Sequence, residues 1–326
     1  MQLIATPANP VPRRATAAMI RASDGVRLRV ARWAAREPRE GEREPGTAVI
    51  FQGRGEFIEK YFEVIGELLE RGFAVVALDW RGQGGSDRLT NNSRKGHVED
   101  FADYQRDIEA VAGQVLEPFC AKPWFALAHS MGGAVMLEHA HGGGRTFERI
   151  VLNAPMVDLF GLSWPRGFRI FAEIAETIGM GRSFIPGGGE TAMATRPFEG
   201  NVLTSDPVRY QRTADIVASG AFLGLGDPTI GWLDAAFRQM KRFEDADYPR
   251  LTALPVLVIG AGADEVVDTR AVSRFAARLK AGSFVEIPHA KHEIMVERDV
   301  FRAQFWAAFD AFVPGTREEG AIGDRQ

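Results

Sequence analysis

The segment of this 326-residue chain best suited to nucleophilic chemistry is a serine between two apolar segments. Ser130 stands in Ala128-His-Ser-Met-Gly132, which is the G-x-S-x-G pattern with alanine in the first glycine position. In that pattern the serine occupies a tight strand-to-helix turn, and small neighbours let the strand and the helix pack closely. The alternative is a serine that only caps the next helix. Because the flanking segments read as a strand and a helix, we predict that Ser130 is a nucleophile.

A serine hydroxyl needs a base to remove its proton, and histidine is suited to this near neutral pH. His289 and His292 both follow the last predicted strand, and the carboxyl ends of parallel strands meet at one edge of a sheet. We favour His292, which opens the final helix, and expect His289 to bond backbone in its loop. The other histidines are expected to point away from Ser130 or to have structural roles: His97, His129, His139 and His141.

A carboxylate is expected to orient the imidazole and to stabilise its protonated form. Asp264 comes shortly after the apolar run Val256–Ile259, and Asp268 follows one turn later. We expect Asp268 to cap a helix that starts at Thr269, which leaves Asp264 as the acid. The order serine, aspartate, histidine along the chain is the one that α/β-hydrolases use.

Acyl transfer builds negative charge on a carbonyl oxygen, which preorganised N–H donors stabilise. The residue after the nucleophile supplies one donor, and here that residue is Met131. We predict that the second donor is the backbone N–H of Arg54, in the turn Gly53-Arg54-Gly55 after an earlier apolar run. The alternative is an ordinary glycine-rich turn between a strand and a helix.

Short apolar runs alternate with segments of helical periodicity along most of the chain. This pattern predicts an α/β fold with a mostly parallel central sheet and helices on both faces. Val26–Trp33 alternates apolar residues with arginine, which predicts an antiparallel edge strand. The buried parallel strands are predicted at residues 47–51, 73–78, 124–128, 150–152, 256–259 and 284–287.

The alternation stops between residues 155 and 249, where aromatic residues, glycines and short helical segments occur instead. An insertion of this length in a compact domain is usually functional, and we predict a helical cap between two strands of the sheet. The core is then predicted to comprise residues 23–154 and 250–313. Residues 1–22 and 314–326 are predicted to be loose termini.

The composition excludes several classes of protein. The chain carries 39 basic and 43 acidic side chains without a basic tract, which argues against a nucleic-acid binder. A single cysteine, Cys120, leaves no internal disulfide and no multi-cysteine metal site. Neither a signal peptide nor an apolar run long enough to span a bilayer is visible. We expect a soluble cytoplasmic protein, for which transient contact with a membrane surface stays open.

Several further motifs occur in a fixed order. They are Gly53-Arg54-Gly55-Glu56, Glu59-Lys60-Tyr61, Asp79-Trp80-Arg81-Gly82-Gln83-Gly84, Asn153-Ala154-Pro155-Met156 and Ala290-Lys291-His292-Glu293. With the serine motif, they make residues 23–313 similar to the monoacylglycerol lipase and bacterial lysophospholipase branch of the α/β-hydrolases. The resemblance implies hydrolysis of a single-chain acyl ester, a lysophospholipid or a monoacylglycerol, through an acyl-enzyme on Ser130, without a cofactor or a metal.

In this family the cap forms an apolar acyl site. The resemblance therefore suggests four aromatic residues as contacts of the substrate: Phe160, Trp164, Phe222 and Trp232. The alternative is that these side chains are the core of the cap itself. Arg54 and Arg81 are candidates for lining the mouth of the site, where they would favour a phosphate-bearing head group.

Two positions depart from the family pattern. Gln52 stands where many members have histidine, and Ala128 stands where they have glycine, but neither change removes a backbone donor. Two other functions stay open at this point. One is a peptidase resembling the prolyl iminopeptidases, and the other is a non-catalytic ligand-binding protein on the same scaffold.

Overall fold

The computed structural model describes residues 2–36, 45–161 and 165–315. Within them eight strands form one sheet in the order β1-β2-β4-β3-β5-β6-β7-β8. The bounds of the strands are β1(Ala15–Arg21), β2(Arg27–Trp33), β3(Thr47–Phe51), β4(Ala74–Leu78), β5(Trp124–His129), β6(Arg149–Asn153), β7(Val256–Ala261) and β8(Gly282–Ile287). The neighbours from β4 to β8 are parallel, as the apolar runs predicted.

The antiparallel end of the sheet differs from the prediction. β2 pairs with β4 on one side and with β1 on the other, so the strand predicted at the edge is internal. β1 lies within residues 1–22, and the prediction that all of these residues form a loose terminus was therefore wrong. Of its seven residues only Ile20 is buried, so the strand shows no apolar alternation that the sequence would reveal.

The helices lie on both faces of the sheet, because alternate side chains of each strand point to opposite faces. In β3, Val49 and Phe51 belong to one apolar core, and Ala48 and Ile50 belong to another. The bounds of the helices are α1(Phe62–Glu70), α2(Asp103–Val111), α3(Glu117–Phe119), α4(Met131–His141), α5(Pro165–Thr177), α6(Pro207–Ser219), α7(Ile230–Phe243), α8(Thr269–Ala276) and α9(Asp299–Phe312). The predicted fold class, a mostly parallel sheet covered on both faces, is confirmed.

The chain between β6 and β7, here called the insertion, contains α5, α6 and α7. Asp206 caps α6, since its side chain accepts hydrogen bonds from the backbone N–H groups of Val208 and Arg209. In α7, buried residues recur at helical spacing and join the core on one face of the sheet, among them Trp232 and Met240. No helix among the described residues is both long and apolar enough to cross a membrane.

Candidate active site

The turn between β5 and α4 holds Ser130 in an uncommon backbone conformation. Its φ is 51° and its ψ is −115°, values that residues other than glycine rarely adopt. Gly132 makes this turn possible, because a Cβ atom there would lie closer than 3.0 Å to the backbone carbonyl oxygens of Phe51 and Gln52. The sequence pattern around Ser130 therefore forms the strained strand-to-helix turn that a nucleophilic serine requires.

His292 lies between Ser130 and Asp264. Its Nε2 atom is 3.0 Å from the Oγ atom of Ser130, and its Nδ1 atom is 2.8 Å from an Oδ2 oxygen of Asp264. His292 and Asp264 are both buried, with exposed fractions of 3% and 7%. With Nδ1 donating to the carboxylate, Nε2 is free to accept the serine proton.

Asp264 is held as a carboxylate by its surroundings. Its Oδ1 oxygen accepts hydrogen bonds from the backbone N–H groups of Val266 and Val267. Burial raises the pKa of Asp264, but His292 and these two N–H groups outweigh burial and hold that pKa below its usual value. An ionised carboxylate at this position can orient the imidazole and stabilise its protonated form.

Asp268 and His289, the alternatives for the acid and the base, have other positions. Asp268 caps α8 by accepting hydrogen bonds from the N–H groups of Arg270 and Ala271, as predicted. His289 is exposed, in a left-handed conformation with φ of 63°. The structure therefore brings Ser130 and Asp264 to the ring of His292 rather than to that of His289.

The loop after β3 contains a backbone N–H group that no described acceptor binds. The N–H of Gly53 donates to Glu56 at 2.5 Å, and the N–H of Gly55 donates to Gln83 at 3.2 Å. The N–H of Arg54 between them donates to no acceptor among the described residues. A free, preorganised N–H is what an oxyanion hole requires. The second predicted donor, Met131, is the first residue of α4.

Arg54 and Arg81, the two candidates for lining the mouth of the site, have different surroundings. The guanidinium of Arg81 is buried and pairs with Asp107 and Asp24, so Arg81 does not line the mouth. Arg54 pairs with no carboxylate among the described residues. Its Nη2 donates to the carbonyl oxygen of Gly226 at 3.1 Å, and its buried Nε has no hydrogen-bond partner.

The aromatic residues suggested as substrate contacts are placed differently from one another. Phe160 and Phe222 lie at the surface of the insertion, with exposed fractions of 54% and 49%. Trp232 is buried in the core, where its ring N–H donates to the hydroxyl of Tyr104, so its visible role is to join the insertion to the sheet domain. Trp164 lies outside the described residues.

A cluster of buried charges next to His292 was not identified from the sequence. Glu56 and Glu293 both bind the ammonium group of Lys60. The ring of His129 lies beside that of His292, with centroids 4.8 Å apart and planes tilted by 49°. Burial lowers the pKa of His129 to about 4, so this imidazole is neutral near pH 7. Glu56, Lys60 and Glu293 each stand in a motif of the sequence, but nothing local joins these motifs, since Lys60 and Glu293 are 233 positions apart.

Comparison with known proteins places these residues in a family. Residues 43–299 match the family described as serine aminopeptidase, S33. The chain is similar to lysophospholipase L2 of Escherichia coli K12, with 32% identity over 275 residues that cover 78% of this chain and 76% of the relative. A shorter stretch of 113 residues is 26% identical to a monoacylglycerol lipase of Mycolicibacterium smegmatis, covering 35% and 39% of the two chains.

Solved structures share the fold at low sequence identity. A carboxyl esterase of Bacillus coagulans superposes with a TM-score of 0.73 and 19% identity, over 94% of this chain and 99% of its own. A monoglyceride lipase of Saccharomyces cerevisiae superposes with a TM-score of 0.67 and 16% identity, over 93% and 97% of the chains. Both likenesses support the fold that the sheet order and the Ser130 turn indicate.

Proposed function

Because the chain belongs to the S33 serine aminopeptidase family of α/β-hydrolases, in its lysophospholipase and monoacylglycerol lipase-like branch, we propose that it hydrolyses single-chain acyl esters through an acyl-enzyme on Ser130. The observation that carries this proposal is the contact between Ser130, His292 and Asp264 at 3.0 and 2.8 Å. Each residue follows a different strand of the parallel sheet, and together they have the geometry of a nucleophile, a base and an orienting acid.

The proposed reaction begins when His292 Nε2 takes the proton of the Ser130 hydroxyl as Oγ attacks the ester carbonyl carbon. The backbone N–H groups of Arg54 and Met131 stabilise the resulting oxyanion. His292 then gives the proton to the alcohol oxygen as the bond between that oxygen and the acyl carbon breaks. The alcohol departs, and the acyl group stays bonded to Ser130 Oγ. A water molecule, activated by His292 in the same way, releases the fatty acid and restores the serine.

An ester substrate fits the surroundings better than a peptide amino terminus does. A peptidase of the iminopeptidase kind needs carboxylates that are free to bind the substrate ammonium. Apart from Asp264, which orients His292, the buried carboxylates described close to His292 are Glu56 and Glu293, and both already bind the ammonium of Lys60. Each carboxylate therefore already has a cationic partner within the chain, which favours an ester over a free amine as the substrate.

Arg54 favours a head group with a phosphate. Its guanidinium is on the same residue as the N–H that we assign to the oxyanion hole, and it forms no direct ion pair with a described carboxylate. A lysophospholipid carries a phosphodiester next to its glycerol, whereas a monoacylglycerol carries only hydroxyl groups. We therefore propose that lysophospholipids are the preferred substrates, because an arginine binds phosphate oxygens through charge-assisted hydrogen bonds.

We propose that residues 155–249, within the insertion, are the cap that receives the acyl chain. Phe160 and Phe222 present exposed aromatic surface there. Ile170, Ile174 and Ile178 are more than half exposed and recur at intervals of four, so they share one face of α5 and its end. Such an apolar face suits transient contact with the lipid surface that holds the substrate.

Co-sedimentation with phospholipid vesicles tests this contact. We expect Ile174→Glu to reduce the bound fraction severalfold, because a charge in the apolar face opposes burial in the lipid. Val300→Glu is the matched control, since Val300 is equally exposed but lies on α9 outside the insertion. Equal binding of both variants and the wild-type chain would show that the face does not contact lipid.

The proposal as a whole is tested with Ser130→Ala. We expect this variant to fold and to lose turnover of lysophospholipids, monoacylglycerols and p-nitrophenyl acyl esters, since the hydroxyl that we propose as the acyl acceptor is gone. Retained turnover in the variant would contradict the proposal. Absence of turnover in the wild-type chain, together with unlabelled Ser130 after treatment with a fluorophosphonate, would favour a non-catalytic ligand-binding protein.

A further inference from the structure

Three ionisable side chains that take no part in the proposed proton transfers lie buried beside His292. Glu56, Lys60 and Glu293 have exposed fractions of 5%, 7% and 8%. The Nζ atom of Lys60 lies 2.8 Å from Oε1 of Glu56 and 2.6 Å from Oε1 of Glu293. We call these residues the carboxylate–lysine network. Burying charged side chains costs free energy of folding, so we expect a network at this position to have a role in the site.

The network is not an open metal site. Glu56, His129 and Glu293 offer ligand atoms within 4.8 Å of one another, which is the spacing of a metal-binding group. The ammonium of Lys60, however, already bonds to an oxygen of each glutamate. Burial lowers the pKa of Lys60, but the two carboxylates outweigh burial and raise it above its usual value. The chain therefore supplies its own cation at this position.

The first carboxylate belongs to the oxyanion loop. Oε2 of Glu56 accepts hydrogen bonds from the N–H of Gly53 at 2.5 Å and from the hydroxyl of Tyr61 at 2.6 Å. Burial raises the pKa of Glu56, but Lys60 and Tyr61 outweigh burial and hold that pKa below its usual value, so this residue is a carboxylate at neutral pH. Gly53 immediately precedes Arg54, whose N–H we assign to the oxyanion hole. Glu56 thus holds the peptide next to the proposed donor.

The second carboxylate belongs to the loop of the base. Glu293 directly follows His292, and its backbone N–H donates to the carbonyl oxygen of Leu203 in the insertion at 2.8 Å. Lys60 therefore connects the oxyanion loop after β3 to the histidine loop after β8, and through Glu293 to the insertion. These segments are far apart in the sequence, and the network ties them together beside the reacting groups.

We propose that Lys60 is a positioning residue, whose ammonium holds Glu56 against Glu293 and thereby keeps the proposed oxyanion donor of Arg54 in register with the base His292. This inference rests on the proposed function. The N–H of Arg54 and the ring of His292 must act on the same ester carbonyl. The N–H binds the carbonyl oxygen, while His292 takes the proton of the hydroxyl that attacks the carbonyl carbon. A displacement of about 1 Å between such groups lowers the rate about 100-fold.

The test compares Lys60→Met, which removes the charge at similar length, with Lys60→Arg, which keeps it. Both are measured with p-nitrophenyl butyrate and with a fluorophosphonate, at a temperature where thermal melts show the variants folded. We expect Lys60→Met to lower kcat and the labelling rate of Ser130 at least tenfold, with KM changed less than about threefold. Lys60→Arg should restore most of the lost rate.

Arg71→Met is the matched control for a purely structural loss. Arg71 joins the end of α1 to α9 through Asp310 at 2.7 Å, outside both the oxyanion loop and the histidine loop. Its loss should lower Tm without changing kcat more than twofold. If Lys60→Met fails to fold, Glu293→Gln and Tyr61→Phe take its place, because each weakens the network but keeps the ammonium of Lys60.

The outcomes separate this inference from the proposed function. Folded variants of the network that label and turn over at the wild-type rate would overturn the positioning role alone. A loss in kcat that Lys60→Arg does not recover, or that Arg71→Met reproduces, would also overturn it. A wild-type chain whose Ser130 does not react with the fluorophosphonate would overturn the proposed function, and this inference with it.

Discussion

The Nε2 atom of His292 lies 3.0 Å from the Oγ atom of Ser130, although 162 positions separate the two residues. The parallel sheet accounts for this meeting. β5 ends just before Ser130 and β8 ends shortly before His292, and the carboxyl ends of both strands open on the same edge. The contact makes the orientation of His292, which Asp264 fixes, the first property to test.

Asp264→Asn should lower kcat for p-nitrophenyl esters by about 1,000-fold or more. An amide cannot stabilise the protonated imidazole, and it can favour the tautomer that places a hydrogen on Nε2 instead of a lone pair. The measurement is steady-state kinetics with the thermal melt as a check on folding. Asp268→Asn is the control, since Asp268 caps α8 and should affect Tm more than kcat. Similar kcat values for the two variants would contradict the assigned role of Asp264.

Gly132→Ala should distort the turn that carries Ser130. The added Cβ would collide with the backbone carbonyls at the end of β3, which cannot move without disturbing the oxyanion loop. We expect a loss of stability of about 1–3 kcal/mol and a fall in kcat that exceeds the unfolded fraction. The control is Gly66→Ala in α1, where a Cβ meets nothing within 4 Å and alanine favours the helix. Wild-type kinetics in Gly132→Ala would count against the strained turn.

Arg54→Met should change which head group is preferred. The quantity to measure is the ratio of kcat/KM for a lysophospholipid to that for a monoacylglycerol with the same acyl chain. We expect this ratio to fall about tenfold, because the methionine cannot bind the phosphate, and to fall less in Arg54→Lys. An unchanged ratio would remove Arg54 from head-group recognition without affecting the assignment of Ser130.

Glu63 should make part of the stability dependent on acid pH. Burial raises the pKa of Glu63, but its contacts with Arg209, Arg212 and Arg302 lower it to about 2 from an ordinary value of 4.5. Because the folded pKa is the lower one, the stabilisation is complete above about pH 4.5 and is lost as the pH falls towards about 2. We expect Tm to drop less steeply over this range in Glu63→Gln than in the wild-type chain. Parallel curves would contradict the prediction.

The arrangement of the proposed catalytic residues could be predicted from the sequence because each follows an apolar strand. Ser130, Asp264 and His292 come after β5, β7 and β8, and the strands themselves are visible as short apolar runs. The choice between Asp264 and Asp268 could also be predicted from the sequence, because the position before Thr269 is a helix cap. Local pattern and parallel topology together are sufficient for this part of the site.

Other features depend on contacts that no local pattern contains. β1 was missed because an outer strand with one buried residue, Ile20, shows no alternation. The bonds of Lys60 to Glu293 and of Arg81 to Asp24 join residues 233 and 57 positions apart, and a charged residue in isolation reads as a surface side chain. The sequence therefore placed Arg81 at the mouth of the site, whereas the fold buries it in an ion pair.

Trapping of an acyl-enzyme tests the proposed role of Ser130 most directly. The wild-type chain is mixed with a p-nitrophenyl acyl ester, quenched in acid within the first turnover and analysed by intact mass and peptide mapping. We expect one acyl group per chain, on the peptide that contains Ser130, and no acylation in Ser130→Ala. Steady turnover in which the acyl group is found on another residue would contradict it.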